Sequence, residues 1–300
     1  MARTRDVVIG VIIAVSSLMA IGFFALMMIG FMSDGPSDGF TGFGDKVGVV
    51  EVFGPIEEFN GRQVIWQLED WADNGAIKAI VVHINSPGGG VAISQEIYDA
   101  VQRARIEKPV VASMASSAAS GAYYVACAAD RIVANPGTLT GSIGVIMQFY
   151  TYGGLMDKIG LSMETVKSGE LKDVGNPERT MTKKEELMLT SVVMDSYEQF
   201  VDVVAEGRNL EKEEVYPLAD GSIFTGSQAY NLGLVDTLGG LKEAVDIAAE
   251  LAGIAGEPKI IRPYRRERVG LIDLLGSVLG KLDTRVDQQL SGPQLLYLYQ

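Results

Sequence analysis

The chain has 300 residues, 47% of them hydrophobic and 21% charged, which excludes a disordered or collagen-like polymer and fits one large domain or two ordinary ones. Its formal net charge is −13, so it lacks the Lys/Arg excess on which nucleic-acid affinity rests. One cysteine, Cys127, excludes an internal disulfide and multi-cysteine metal sites, and one histidine, His83, argues against His-rich ones.

In chain order, residues 1–6 carry Arg3 and Arg5 and precede an uncharged stretch, residues 7–32. At about 1.5 Å per residue a helix of that length spans a bilayer with some tilt, and it exceeds the apolar core of a cleavable signal peptide. It reads as one retained N-terminal transmembrane helix in contact with the lipid bilayer. Arginine before the span and Asp34, Asp38 and Asp45 after it place the N-terminus in the cytoplasm and the body outside it. Residues 33–46, rich in Gly, Ser and Asp, read as a linker.

The body, expected over residues 47–256, alternates short β-branched runs with helical patterns. Val47–Val52 reads as a strand and Arg62–Asn74 as a helix. Ala79–Ile84 (AIVVHI) is a continuous apolar run, the mark of a parallel strand covered on both faces. The turn Asn85–Gly90 (NSPGGG) leads to a helix over Ala92–Arg105. Pro109–Met114 is another strand, followed by small residues, a helix near Ser120–Ala128, the strand Arg131–Ala134 and the turn Asn135–Gly137. These repeated strand–turn–helix units define an α/β fold. Thr182 and Glu185 form a capping box that opens a long helix to about Gly207, and a last helix of the body includes Ala248 and Leu251. Residues 257–300 form a C-terminal extension. It holds a basic patch (Lys259, Arg262, Arg265, Arg266, Arg268), an amphipathic stretch over Val269–Leu282, and an apolar tail, Leu295–Gln300 (LLYLYQ). The amphipathic stretch reads as a helix packed on the body or on another subunit, the sharper alternative being a helix on the membrane surface.

Two segments carry chemistry. Three glycines between a buried strand and a helix let backbone N–H groups approach a phosphate or a developing oxyanion, although the loop matches neither Gly-x-x-x-x-Gly-Lys-Ser/Thr nor Gly-x-Gly-x-x-Gly. Ala115–Tyr124 (ASSAASGAYY) surrounds Ser116, Ser117 and Ser120 with tiny side chains, and Ser120 before Gly121 best fits a nucleophile at a helix start. A serine nucleophile needs a base. His83 lies inside an apolar strand and reads as structural. A lysine serves if burial brings its pKa from ~10.4 toward 7–8. Lys158, Lys167, Lys172, Lys183 and Lys184 are the candidates, and spacing does not choose among them.

At these residues the chain resembles the signal peptide peptidase A family in its short, membrane-anchored form. The resemblance covers about residues 47–240 and rests on INSPGGG (Ile84–Gly90), ASGAYYVACAADRIVANPGTLTGSIGV (Ala119–Val145), KSGELKDVGNPERTMT (Lys167–Thr182) and ADGSIFTGSQAYNLGLVD (Ala219–Asp236). It implies a Clp/crotonase-like fold and a Ser/Lys dyad: Ser120 as nucleophile, Lys172 as base, Ser142 orienting the lysine, and the Gly89 and Gly121 N–H groups as oxyanion hole. It also implies a ring-like homo-oligomer with serine and lysine supplied by neighbouring subunits, no cofactor and no metal. Relatives commonly carry a second glycine where this chain has Ala122, whose methyl is expected to narrow a substrate pocket. Asp173 beside Lys172 opposes a neutral amine unless the two side chains point apart.

The expected activity is a membrane serine endopeptidase cutting apolar peptides, chiefly remnant signal peptides. The rivals are a related peptidase with one specific membrane-protein substrate, a crotonase-type acyl-CoA enzyme and a scaffold with a dead site. The apolar tail reads first as packing against a neighbour and, more sharply, as a segment that enters the protein's own site.

Overall fold

The computed structural model describes residues 45–262, the strand Leu296–Leu298, and residues 19 and 22. The chain divides into two compact units, residues 1–44 and 45–300. The expected transmembrane span, apart from residues 19 and 22, and the amphipathic stretch after the basic patch lie outside the described residues. No helix among the described residues is long and apolar enough to cross a membrane.

The elements are β1 (Lys46–Phe53), α1 (Glu58–Asp73), β2 (Ile77–Ser86), β3 (Gly88–Gly90), α2 (Val91–Glu107), β4 (Val110–Ala119), α3 (Gly121–Ala126), β5 (Arg131–Ala134), β6 (Leu139–Gly141), α4 (Gly153–Ile159), α5 (Lys183–Arg208), α6 (Lys212–Val215), β7 (Ile223–Thr225), α7 (Gly226–Asn231), β8 (Thr237–Leu238), α8 (Leu241–Leu251), β9 (Lys259–Ile261) and β10 (Leu296–Leu298). The main sheet runs β7-β6-β4-β2-β1-β9, with β5 and β8 branching from β4. Its central pairs, β1–β2 and β2–β4, are parallel, as the alternating pattern predicts.

Both faces of this sheet are covered, which explains the unbroken apolar runs. Along β1 and β2, Val50, Val52, Ile80, Val82 and Ile84 join the larger core beneath α1, α2 and α3. Val47, Val49, Ala79 and Val81 point the other way, against Ala244, Val245, Ala248 and Ala249 of α8. Glycines make two of these contacts possible. A Cβ on Gly48 would lie 2.3 Å from the Trp71 ring, and one on Gly61 would lie 2.3 Å from Ile93. Gly61 also explains why α1 begins at Glu58, four residues before the periodicity suggests. It interrupts the apolar pattern in the first turn, while Glu57 and Asn60 close a capping box there. At the other end of α1, Lys108 Nζ donates to the carbonyls of Trp71, Asn74 and Ile77 at 2.7, 3.0 and 3.0 Å, tying the end of the helix to the start of β2.

One topological detail builds the site. The first half of β4 pairs with β5 (Val111↔Arg131 to Met114↔Ala134), and its second half pairs with β6 (Ser117↔Leu139 to Ala119↔Gly141). The strand therefore changes neighbours halfway along, and its C-terminal end lies beside a different chain segment from its start. The first residues of the basic patch form β9, which pairs with β1, so this strand of the sheet lies beyond residue 256.

Candidate active site

Ser120 sits between β4 and α3, in the run of small residues. It is 1% exposed, with φ 55° and ψ −123°. A non-glycine residue rarely adopts positive φ, and doing so costs of order 1 kcal/mol or more. The surroundings enforce it. Ser120 N donates to Gly141 O at 2.8 Å, and Ser120 O accepts from Tyr124 N at 2.9 Å. Tyr123, 0% exposed, anchors α3 by donating from Oη to Leu234 O at 2.9 Å. The Ser120 Oγ is buried and has no hydrogen-bond partner among the described residues. Gly121 opens α3, so its N–H is one of the amides a helix leaves without an i−4 acceptor.

Ser142 stands next to this junction because β6 runs parallel to β4. Ala119 pairs with Gly141, so Ser120 and Ser142 are the next residues on neighbouring strands about 5 Å apart. Ser142 is also buried at positive φ, 50°, and its N donates to Ser222 O at 2.7 Å. A cavity of about 390 Å³ opens beside Ser142, lined mainly by Val145, Ile146, Val193, Met194 and Tyr197, with Asp220 also on its wall. A slightly larger cleft, about 410 Å³ between β1 and α1, contains no serine, cysteine or lysine.

Gly89 lies at the centre of β3, which packs against α3. Ile56 N donates to Gly88 O at 2.8 Å and Gly90 N donates to Ile56 O at 2.9 Å, so Ile56 clamps the residues on either side of Gly89. Strand alternation then turns the N–H and C=O of Gly89 to the opposite edge. A Cβ here would lie 2.0 Å from Ile56 O, so only glycine fits. Ser86 Oγ accepts from Gly88 N at 3.1 Å, and Asn85 Oδ1 accepts from Ser117 N at 3.2 Å, tying the glycine turn to β4. Ile56, Ser222 and Asn85 are the positioning residues that sequence reasoning missed. Only Asn85 carried a local signal, as the residue opening the turn.

The structure thus brings Ser120, Gly121, Ser142 and Gly89 to one end of β4. It does not bring Lys172 there within one protomer. Lys172 is exposed on the segment between α4 and α5, and the Ser120 Oγ has no bond to it. The concern about Asp173 is answered by its partners. Asp173 accepts from Lys167 Nζ at 2.6 Å and faces Arg179 at 3.1 Å, and these cations hold its carboxyl below the usual range, Lys167 chiefly. Arg179 also bonds the buried Glu185 carboxylate at 2.5 and 2.8 Å. With Thr182, it holds the Glu185 pKa down at about 2.

Other groups are set aside by their surroundings. His83 Nδ1 lies 3.2 Å from both Ser113 O and Ser113 Oγ, and its ring meets Phe53 edge-on at 5.4 Å. Burial lowers its pKa, and it pairs with the body of β4, whereas Ser120 lies past that strand's end. Burial pushes the Cys127 thiol up to about 12, the condition of an inert thiol. Among the described residues no group of three or more His, Cys, Asp or Glu side chains could hold a metal ion. Ala122 corrects an expectation: it is 0% exposed within the larger core, so its methyl does not narrow a substrate pocket.

Comparison with known proteins places the chain among peptidases. The family model described as peptidase family S49 matches residues 102–255, and the Clp protease model matches residues 45–138. A Synechocystis protein provisionally named a protease is 43% identical over 209 residues, 70% of this chain and 75% of its own. An Enterococcus faecium protein provisionally named signal peptide peptidase SppA is 40% identical over 193 residues, 63% of this chain and 56% of its own. The chloroplastic serine protease SPPA of Arabidopsis thaliana is 32% identical over 267 residues, 85% of this chain and 39% of its own. The mixed, doubly covered sheet agrees with a Clp-protease-like fold.

Proposed function

The chain belongs to peptidase family S49 and is a serine protease, and from that premise we propose that it is a membrane-anchored endopeptidase in which Ser120 is the nucleophile and Lys172 the base. The observation that carries the assignment is the buried Oγ of Ser120, without a partner among the described residues and held at positive φ where β4 meets α3. A hydroxyl kept in such a conformation without a bond to reward it is poised for a partner outside the protomer.

The reaction begins as Ser120 Oγ attacks the scissile carbonyl carbon and passes its proton to the neutral amine of Lys172. The carbonyl oxygen becomes an oxyanion, bound by the N–H groups of Gly89 and Gly121. The protonated Lys172 then gives its proton to the departing amine and the C–N bond breaks. Water, activated by the same lysine, hydrolyses the acyl-enzyme and restores Ser120. Ser142 Oγ orients the lysine from just past the end of the neighbouring strand.

Lys172 reaches Ser120 from a neighbouring protomer of a ring-like homo-oligomer. Three features support this: Lys172 is exposed, the Ser120 Oγ has no partner among the described residues, and Leu155, Ile159, Leu161, Met163 and Val166 are exposed on the stretch leading to the lysine. Apolar side chains gathered on one segment mark a surface that a partner covers. The cavity beside Ser142 suits an apolar residue of a peptide, and the uncharged residues 7–32 would hold the site near membrane-derived peptides outside the cytoplasm, remnant signal peptides above all.

The test is hydrolysis of a fluorogenic apolar peptide by the purified full chain. Ser120→Ala and Lys172→Ala should each lose on the order of 10⁴-fold in kcat/KM. Co-assembling the two dead variants should restore part of the activity, since mixed neighbours pair an intact serine with an intact lysine. Full activity in Lys172→Ala, or a co-assembled mixture that stays dead while the rings form, would sink this reading.

A further inference from the structure

Strand β4 breaks its register just before the site. From Ile84↔Met114 to Ser86↔Ala118, β2 advances two residues while β4 advances four. The same interval separates the pairs with β5, which end at Met114, from the pairs with β6, which begin at Ser117. Among the described residues no strand pair includes Ala115 or Ser116. The strand returns in phase, since Met114 and Ala118 are both buried in the larger core. Ala115–Ser117 is thus a bulge with two extra residues, and a bulge re-aims the side chains that follow it. Polar side chains hold the bulge where main-chain ladders do not. Thr138, 1% exposed, donates from Oγ1 to Ala115 O at 2.6 Å. Asn135 Nδ2 donates to Met114 O at 3.2 Å, and Asn85 Oδ1 accepts from Ser117 N at 3.2 Å. Past the bulge, Thr140 Oγ1 donates to Ala118 O at 2.7 Å.

Two of these bonds come from segments with a second task. Asn85 opens the turn that presents Gly89, and Thr138 directly precedes β6, which leads to Ser142. We propose that the bulge sets Ser120 against Gly89 on one side and Ser142 on the other, with Thr138 and Asn85 as its positioning residues. This rests on the peptidase reading above and names what aligns its groups. Two unpaired residues free the end of β4 from the register of its first half, so the bonds that span the bulge decide where Ser120 stands. A displacement of about 1 Å at a reacting atom costs on the order of 10²-fold in rate. Thr138 is buried, so its hydroxyl acts on kcat and not on the binding of peptide.

Conservative variants give the test. Thr138→Val keeps the shape and removes the hydroxyl, while Thr138→Ser keeps the hydroxyl. KM and kcat for the fluorogenic apolar peptide are measured on the full chain, both variants, Asn85→Ala and the Asn85→Ala/Thr138→Val pair. Thr138→Val should lower kcat about 10–10²-fold with KM within about twofold, and Thr138→Ser should stay within about threefold of the parent. Asn85→Ala, at an exposed residue, should show the same split between kcat and KM. The double variant should lose less than the product of the single losses, because either change already releases the bulge. Equal losses in Thr138→Val and Thr138→Ser, a loss confined to KM, or a multiplicative double variant overturns the proposal. A second arm needs no peptide. A fluorophosphonate labels the serine as Ser120 Oγ bonds to phosphorus, its proton passes to Lys172 and fluoride leaves, and this rate should fall by a similar factor in Thr138→Val alone of the two. If no form cuts peptide while labelling follows that pattern, the peptidase reading falls and the role of the bulge stands. Cutting at an unchanged kcat in Thr138→Val gives the reverse, and a parent chain that neither cuts nor labels overturns both.

Discussion

The two halves of the proposed dyad are held in opposite ways. Ser120 lies in the core, and backbone bonds to Gly141 and Tyr124, with Ser142 just past the adjoining strand, fix its position. Lys172 lies on a surface segment whose local order comes from charges: Lys167 and Arg179 on Asp173, Arg179 on Glu185, Lys184 on Glu170. Burial and backbone bonding make the serine half a rigid receptor that a protomer completes by itself. The lysine half keeps its shape through side-chain ion pairs and leaves its functional amine facing outward. The difference teaches that the two halves should fail differently, one by steric damage and the other by titration.

The largest effect that would sharpen this contrast is on the serine side. Gly89→Ala places a Cβ 2.0 Å from Ile56 O, so β3 must move off its clamp. Peptide hydrolysis should fall about 10²–10³-fold in kcat, the usual loss for a misplaced oxyanion donor, and it should not recover at any pH. Retention of more than about a tenth of the activity would show that Gly89 is not such a donor.

A smaller effect belongs to the lysine side and depends on pH. The Glu185 pKa is about 2 in the folded chain against an ordinary 4.5, because Arg179 and Thr182 favour its charged form. A carboxylate with a depressed pKa stabilises the fold above the unfolded pKa and loses that contribution as pH falls through the folded one. The contribution of Glu185 is therefore complete above about pH 4.5 and disappears on approach to about pH 2. Thermal melting from pH 6 downward should show the parent's advantage over Glu185→Gln shrinking across that window. A constant gap between the two would mean that the ion pair does not organise the segment.

The smallest effect tests whether the tight packing around Ser120 is structural or selective. Ala122→Gly should cost about 0.5–1 kcal/mol of stability through helix propensity and leave the preference among apolar peptides unchanged. A shift in that preference would place residue 122 in the substrate pocket after all.

Much of the serine half was legible in the sequence because its determinants are local. The AIVVHI run announced a doubly covered strand, and the tiny residues before Gly121 announced a tight strand-to-helix junction. The capping box at Thr182 and Glu185 likewise marked the start of α5 correctly. What escaped depends on contacts distant in the chain. The exchange of neighbours along β4 leaves no periodic trace, since a strand looks the same whichever segment pairs with it. The Ile56 clamp on Gly88 and Gly90 spans more than thirty residues through main-chain atoms, which no side-chain pattern encodes. Lys172 was singled out by resemblance and not by physics, because the same segment offers several lysines.

The positive φ of Ser120 has an evolutionary consequence. Glycine adopts that conformation without steric penalty, so the chain carries the proposed nucleophile at a standing thermodynamic disadvantage of about 1 kcal/mol. Where selection for catalysis is relaxed, as in a duplicated copy that only assembles, drift toward glycine at residue 120 would make the fold sturdier as it silences the chemistry. On the proposed mechanism, stability and activity are opposed at this one residue, and serine kept at residue 120 would be a signature of continued use.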